Sequence, residues 1–557
     1  MRHILLSIWI FSPLVLASHA NAQVGGQKTQ RVEIFGQIAN GHFGQTVTSA
    51  GDVNADGVDD LLIGSPGSFS IQLVEVISGA DGQRMRQYSG APFFGIGGAI
   101  AGLGDINGDG FADVAFGNPS GATVFAVSGF DDQILWSQER WRRRSSLGNS
   151  MVAIDDIDGD GIGELLVGDA LGDLGSLDFA GQAFVFSGAT GQQLMHFRGQ
   201  RANGKLGQNV AAAGDVNGDG FPDLMVDLGL GPQSQYYTRV LHIYSGADGS
   251  LLFEKPAPSG LFGDTSFDGV GDLNQDGFDD FAIGYPNAIV SAGVAGLGKV
   301  RIFSGATGEI MLLVEGESSG GTIGNSVSPA DDYDADGYPD FFLGSVGDFV
   351  LGIPSKAKIH SGLTGKPIAQ FFTWDDAAPS TLYGDRIQNL GDTDGDGYSE
   401  FAVSDWGFRA SGASGNSGRV LVYSFHPLMT ASVSSVSASA GGSVDLRVDF
   451  PDSSAGNPYA VLLSAKRSVT RGYGVALPLD DGPRMRASAH GIYPFASHAG
   501  FMGSLDAQGN ATATVNFLPG ELPISLVDTT LFFAAVSGAT TSVMEASSIA
   551  VPLRILP

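Results

Sequence analysis

The chain has 557 residues, 43% of them apolar, enough for two or more domains with sizeable cores. Glycine, at 83 residues, is about twice ordinary usage, cysteine is absent and aromatics reach 10%, which excludes a disulfide scaffold, a collagen and a disordered chain. A net charge of −30 excludes nucleic acid and anionic lipid as partners over most of the surface and favours bound cations.

Arg2 and His3 precede an apolar run from Ile4 to Ala17, followed by the small-residue site Ala20-Asn21-Ala22. This order predicts a cleaved signal peptide over residues 1–22 and export of a chain starting at Gln23. A membrane anchor is the competing reading, but Ser7, Ser12 and Pro13 interrupt the run, which is shorter than the ~20 residues a span requires. No later stretch is apolar for long enough to cross a bilayer, so a secreted or cell-surface protein without a transmembrane segment is expected.

One acidic motif then recurs seven times: DVNADGVDD from Asp52, DINGDGFAD from Asp105, DIDGDGIGE from Asp156, DVNGDGFPD from Asp215, DLNQDGFDD from Asp272, DYDADGYPD from Asp332 and DTDGDGYSE from Asp392. Successive copies start 51 to 60 residues apart. Upstream of each lies a large apolar residue followed by glycine, such as Phe43-Gly44, Leu147-Gly148 or Tyr383-Gly384. Downstream come an apolar run, a loop of variable length, an alternating strand ending in most copies in Ser-Gly, and a further alternating segment. Short β-rich runs with glycine turns give four antiparallel strands per unit, and seven such units read as a seven-bladed β-propeller over residues 23–427. The seventh unit lacks its fourth strand, breaking at Phe425-His426-Pro427, whereas residues 31–36 resemble the end of a fourth strand and have no preceding partners. Residues 31–36 are therefore predicted to complete the last blade, closing the ring and covering its edges.

Within each nine-residue loop, oxygen-bearing side chains recur at positions 1, 3, 5 and 9, and glycine stands at position 6. Ca²⁺ takes six to eight oxygens, and the glycine permits the turn that lets the carbonyl at position 7 join them. The candidate ligands are Asp52, Asn54, Asp56, Asp60; Asp105, Asn107, Asp109, Asp113; Asp156, Asp158, Asp160, Glu164; Asp215, Asn217, Asp219, Asp223; Asp272, Asn274, Asp276, Asp280; Asp332, Asp334, Asp336, Asp340; and Asp392, Asp394, Asp396, Glu400. Neither Cys nor His is among them, which disfavours softer metals. Up to seven Ca²⁺ ions, mainly structural, are expected, and they would account for most of the charge imbalance. An EF-hand shares the first part of this pattern but needs a ligand at position 12 and flanking helices; here position 12 is apolar or glycine and the flanks read as strands.

The coupling of Phe-Gly, the acidic loop and a following Gly-x-Pro (Gly64-Ser65-Pro66, Gly117-Asn118-Pro119, Gly284-Tyr285-Pro286) resembles the FG-GAP repeat of integrin alpha subunits, over roughly residues 31–425. The resemblance implies a seven-bladed propeller with calcium in hairpin loops on its lower face and cell adhesion through its upper face. The chain departs from integrins in having no cysteine, no membrane helix and no cytoplasmic tail, and in keeping the acidic loop in all seven units. It resembles a secreted bacterial relative, so integrin-type heterodimerisation and signalling are not carried over.

Strand alternation puts calcium on the face opposite the variable loops. The segment 137–146 carries Arg140, Trp141, Arg142, Arg143 and Arg144 in an otherwise acidic chain. With Tyr236, Tyr237, Trp374, Trp406 and Arg409, these residues form a candidate recognition face for an anionic glycan or acidic protein; the alternative is a solvated basic loop. The histidines after Gln23 show no metal or triad spacing, and neither G-x-S-x-G nor H-E-x-x-H occurs. An extracellular adhesion or ligand-binding protein, acting as a monomer on a protein or glycan, is the reading these residues favour. A polysaccharide lyase or hydrolase built from carboxylates converging across blades is the alternative. From residue 428 the acidic loop disappears and alternating segments such as SVDLRVDF and NATATVNF predict a C-terminal β-sandwich over 428–557.

Overall fold

A computed structural model describes residues 27–67, 72–140, 144–229, 239–257, 265–288, 297–316, 322–334, 336–347, 354–371, 382–394, 398–409 and 415–432, then 435–450, 454, 456–464, 467–470, 477–479, 497–499, 501–519, 530–537, 546–548 and 551–557. The signal peptide expected over 1–22, and the candidate residues Trp141, Arg142, Arg143, Tyr236, Tyr237, Trp374 and Asp396, lie outside them.

The chain opens with β1 (Gln27–Phe35). A first sheet follows, of β2 (Thr46–Gly51), β3 (Asp60–Ser65), β4 (Leu73–Ile77) and β5 (Arg84–Ser89), then a second of β6 (Ile100–Gly104), β7 (Asp113–Asn118), β8 (Thr123–Val127) and β9 (Ile134–Glu139). The third holds β10 (Met151–Ile154), β11 (Glu164–Asp169), β12 (Gln182–Phe186) and β13 (Gln193–Arg198), and the fourth β14 (Val210–Gly214), β15 (Asp223–Gly229), β16 (Arg239–Tyr244) and β17 (Leu251–Pro256). The fifth holds β18 (Ser266–Gly271), β19 (Asp280–Tyr285), β20 (Lys299–Phe303) and β21 (Ile310–Glu315), and the sixth β22 (Thr322–Ala330), β23 (Asp340–Val346), β24 (Lys356–His360) and β25 (Pro367–Phe371). The seventh contains β26 (Tyr383–Gly391), β27 (Glu400–Asp405) and β28 (Arg419–His426), with β1 as its outer strand. Each of the seven is four-stranded, antiparallel and blade-like. β1 pairs with β28 from Gln27 opposite His426 to Phe35 opposite Arg419, longer than the 31–36 expected from sequence because the pairing continues past an irregularity at Arg31.

The composition of each strand follows from its place. Second strands such as DLLIGS and ELLVGD are buried at every position because neighbouring sheets cover both faces, which calls for a continuous apolar run. The fourth strands are half exposed and mix polar with apolar residues. The buried clusters lie between neighbouring sheets: Leu62, Val74 and Val76 meet Val114, Phe116 and Phe125 between the first and second, and Ile34, Val420 and Val422 meet Leu61, Ile63 and Ile77 between the seventh and first. The first strands of successive sheets touch in order from β2 to β26, and β26 touches β2.

Glycine makes this packing close. A Cβ on Gly117 would lie 2.1 Å from the carbonyl oxygen of Gly148, and one on Gly168 would lie 2.0 Å from that of Gly207. Gly148 and Gly207 themselves hold φ of +86° and +77°, a region open to glycine at little strain. The large apolar-Gly pairs of the third, fourth, sixth and seventh units thus rest on a glycine in the second strand of the sheet before them, whereas Gly44 of the first unit meets Ser404.

After His426 come β29 (Met429–Ala431), β30 (Ser435–Ser437), β31 (Gly442–Asp449), β32 (Pro458–Ser464), β33 (Arg467–Thr470), β34 (Leu477–Leu479), β35 (Ser497–Ala499), β36 (Met502–Ser504), β37 (Asn510–Phe517), β38 (Thr530–Ser537), β39 (Ala546–Ser547) and β40 (Val551–Leu556). They form smaller C-terminal sheets: one ordered β29-β31-β37-β35, another ordered β30-β40-β38-β32-β36 with β39 on β38, and a β33-β34 pair. One buried cluster holds Val444, Leu446 and Val515 from the first of these with Val461, Phe533 and Val551 from the second. The same cluster continues through Met429, Leu428 and Phe425 to Phe401 of the seventh sheet.

Candidate metal centres

Each acidic motif forms the loop between the first and second strands of its sheet. The fold of the loop follows from its own side chains. Asp105 at position 1 accepts the N–H of Gly108 (2.7 Å) and Asp109 (3.1 Å) on Oδ1 and of Gly110 (2.8 Å) on Oδ2. Asn107 Oδ1 accepts the N–H of Asp109 (2.9 Å), and Asp109 Oδ1 accepts that of Phe111 (3.0 Å). The chain is thereby wound around its odd-numbered side chains, with Gly110 at φ +91°. Asp156 shows the same pattern, and the N–H groups of Gly161 and Gly159 hold its carboxyl below the usual aspartate range.

Position 9 begins the second strand and is fully buried in all seven loops. Where it is Asp, both oxygens are bonded to backbone: Asp113 Oδ2 takes the N–H of Ile106 (3.0 Å) and Oδ1 that of Gly129 (2.9 Å), in the Ser-Gly turn after the third strand. Asp60, Asp223, Asp280 and Asp340 bond to Gly79, Gly246, Gly305 and Gly362 in the same way. Where it is Glu, the extra methylene changes this. Oε2 of Glu164 and of Glu400 accepts the N–H of Ile157 or Thr393 (2.8 Å each), while Oε1 of each is buried without a hydrogen-bond partner.

In three loops, carboxylates alone gather their oxygens within 4.8 Å of one another: Asp156, Asp158, Asp160 and Glu164; Asp332, Asp334 and Asp340; and Asp392, Asp394 and Glu400. These are the loops with Asp at position 3. The other four have Asn at position 3, whose amide oxygen accepts the position 5 N–H in the first, second and fourth loops without carrying charge, so the up to seven sites expected from sequence divide into three carboxylate clusters and four loops with one amide. Burial, reinforced by neighbouring aspartates, raises Asp60 and Asp113 to about 6 and Glu164, Asp223 and Asp280 to about 7. Asp336 is pushed up to about 9 by burial and by Asp334 and Asp332.

This donor set fits a hard divalent cation. It is all oxygen, and the orphaned Glu164 Oε1 sits in a tight anionic cluster where a cation would supply its missing partner. When bound, Ca²⁺ would cancel the mutual repulsion of the carboxylates and fix the first two strands of a sheet to each other. Asp156, Asp158, Asp160 and Glu164 would hold it in the third loop, and Asp332, Asp334 and Asp340 in the sixth.

The described candidate recognition residues, Arg140, Arg144, Trp406 and Arg409, follow strand ends remote from the acidic loops. Asp113 and Asn118 are opposite ends of β7, and Arg140 follows Glu139, whose partner Thr123 pairs with Asn118. The Arg140 guanidinium stacks 3.7 Å over Phe184 and bonds Gln193 (2.7 Å), and that of Arg144 lies 4.8 Å from the Phe179 ring and 3.1 Å from Asp178. Both arginines are thus braced on the third sheet and its loops. Trp406 lies in the turn just after β27, where its Nε1–H donates to Asp385 (2.9 Å) and its ring lies 5.1 Å from His42; Arg409, nearby in sequence, is exposed.

Sequence reasoning missed two participants. One is the Ser-Gly turn as second partner of position 9, signalled by the recurrence of that dipeptide. The other is Arg31, whose guanidinium lies 3.1 Å from Glu400 and 3.5 Å from Asp394 and which no linear pattern connects to them.

The FG-GAP repeat family matches residues 43–83 and 266–303. Mouse integrin alpha-3 is 30% identical over 205 residues, 32% of this chain and 18% of its own length. Human integrin alpha-7 is 31% identical over 173 residues, covering 29% and 14%, and chicken integrin alpha-V is 29% identical over 242 residues, covering 41% and 21%. The chain therefore spans only a minor part of these relatives. With seven four-stranded sheets, each with its acidic hairpin loop, it carries an FG-GAP repeat region homologous to that of integrin alpha chains.

Proposed function

We propose that residues 23–427 form a closed, calcium-stabilised seven-bladed propeller, exported by a signal peptide over 1–22, that acts outside the cell as an adhesion or ligand-binding protein. The pairing of β1 with β28 and the contact of β26 with β2 support closure. A β-sandwich over 428–557 is supported by the buried cluster that its two larger sheets share. Extracellular adhesion is supported by the integrin likeness, and no helix among the described residues is long and apolar enough to cross a membrane.

The observation that carries the calcium reading is the third loop, where four carboxylates converge and a buried glutamate oxygen lacks a partner. Calcium there is structural, fixing the end of each sheet remote from Arg140 and Arg144 and so holding steady the loops that would meet a protein or glycan. Arrays of glycans and matrix proteins, probed in calcium and in chelator and assayed for cleavage products, test the proposal. Calcium-dependent binding without products is the expected result; products would establish a polysaccharide-active enzyme instead.

A further inference from the structure

In all seven sheets the outer strand carries a bulge at the same level, next to the end of the third strand. The residue skipped by the pairing is Met85, Leu135, Leu194, Leu252, Met311, Ile368 and, in β1, Arg31. A bulge re-aims its side chain, and in the first and fifth sheets it aims toward the acidic loop: the sulfur of Met85 lies 3.2 Å from Asn54 Nδ2, and that of Met311 lies 2.9 Å from Asn274 Nδ2. Six sheets put an apolar side chain at this point. The seventh puts a guanidinium there, with Arg31 Nη1 at 2.9 Å from Thr393 Oγ1, 3.1 Å from Glu400 Oε2 and 3.5 Å from Asp394 Oδ2.

We infer that Arg31 is a tethered cation that takes the place of calcium in the seventh loop and clasps the outer strand β1 to it. Asp394 and Glu400 stand at positions 3 and 9, two of the places from which the other loops would coordinate metal, and Glu400 is fully buried. A guanidinium against both leaves a divalent ion to enter only by displacing a like charge that the bulge holds in position. The third loop is the internal comparison. It has the same Glu at position 9 and the same carboxylate convergence, yet among the described residues no cationic side chain pairs with Asp156, Asp158, Asp160 or Glu164. The first strand of the chain would then be fastened to its last sheet without metal, and the other six loops would be the calcium-responsive ones.

This inference rests on the calcium reading, and counting bound ions by native mass spectrometry of the full chain in calcium separates the two. Arg31→Met, which installs the residue found at the same bulge in the first and fifth sheets, is expected to bind one ion more than the unsubstituted protein. If Arg31→Met does not fold, Asp394→Ala with Arg31 in place decides: it is expected to leave the ion count unchanged, whereas Asp158→Ala, which removes the position 3 oxygen altogether, loses one. An unchanged count in Arg31→Met, or the loss of an ion in Asp394→Ala, overturns the clasp while leaving the calcium reading intact. No bound ion in the unsubstituted protein overturns both.

Discussion

Oδ1 of Asp60 accepts the backbone N–H of Gly79 at 3.1 Å, tying the last residue of an acidic loop to the turn that follows the third strand of the same sheet. The bond recurs from Asp113 to Gly129, Asp223 to Gly246, Asp280 to Gly305 and Asp340 to Gly362. The turn must be glycine because the carbonyl of loop position 8 lies against it. A Cβ on Gly129 would sit 1.9 Å from the oxygen of Ala112, and one on Gly362 would sit 1.9 Å from that of Pro339.

Gly129→Ala is therefore expected to destabilise the protein by about 1–3 kcal/mol, the usual range for forcing a methyl into packed structure. Chemical denaturation in calcium measures it. An unchanged midpoint would mean that the loop and turn are not held together as described.

The buried position 9 carboxyls set a pH dependence. In the metal-free chain Asp60 and Asp113 titrate at about 6 and Glu164, Asp223 and Asp280 at about 7, each above its unfolded value. Between the unfolded and folded values the folded chain binds more protons than the unfolded one, so its stability falls as pH rises through that window. Thermal unfolding in chelator should accordingly show a higher midpoint at pH 6 than at pH 8. Protons and calcium compete for the same oxygens, so the rise in midpoint on adding calcium should be larger at pH 8.

Asn107→Asp would convert the second loop to the carboxylate pattern of the third. One added charge is worth about 1 kcal/mol per unit of metal charge at 4 Å in a water-like medium, hence about 2 kcal/mol for a divalent ion, so calcium binding at that loop should tighten roughly thirtyfold. The same change should lower the unfolding midpoint in chelator through repulsion with Asp105 and Asp109. Isothermal calorimetry and thermal unfolding read the two effects, and their opposite signs distinguish charge from general damage.

Arg419 of β28 is buried between Asp405 (2.9 Å) and Glu33 of β1 (2.8 Å), with Phe408 beneath its guanidinium at 4.1 Å. Arg419→Met leaves Asp405 buried without that cation and should cost about 3–5 kcal/mol. Hydrogen exchange should show the loss concentrated in β1 and β28. Uniform exchange across the sheets would assign Arg419 no special part in holding β1.

The seven-unit organisation was legible because it is local and repeated: spacing of oxygen side chains, Phe-Gly and Ser-Gly dipeptides and alternating strands all lie within one unit. Even the outer strand of the last sheet could be placed, because the seventh unit visibly ends a strand short. Relationships between distant residues were not legible. Arg31 reads as an ordinary strand residue until the β1-β28 register brings it beside residues 393–400, and its meaning depends on the bulge that five methionines and leucines and one isoleucine occupy elsewhere. The contrast between Asp and Glu at position 9 was visible but mute. Only the backbone shows that one methylene decides whether the second oxygen bonds to the Ser-Gly turn or remains in the loop.

Thermal unfolding of the full chain at pH 8, in calcium and in chelator, bears most directly on the central claim. Free calcium about tenfold above Kd stabilises by roughly 1.4 kcal/mol per site, so several sites together should raise the midpoint by many degrees. Coincident curves in calcium and chelator would contradict the account, because the acidic loops would then not be metal sites.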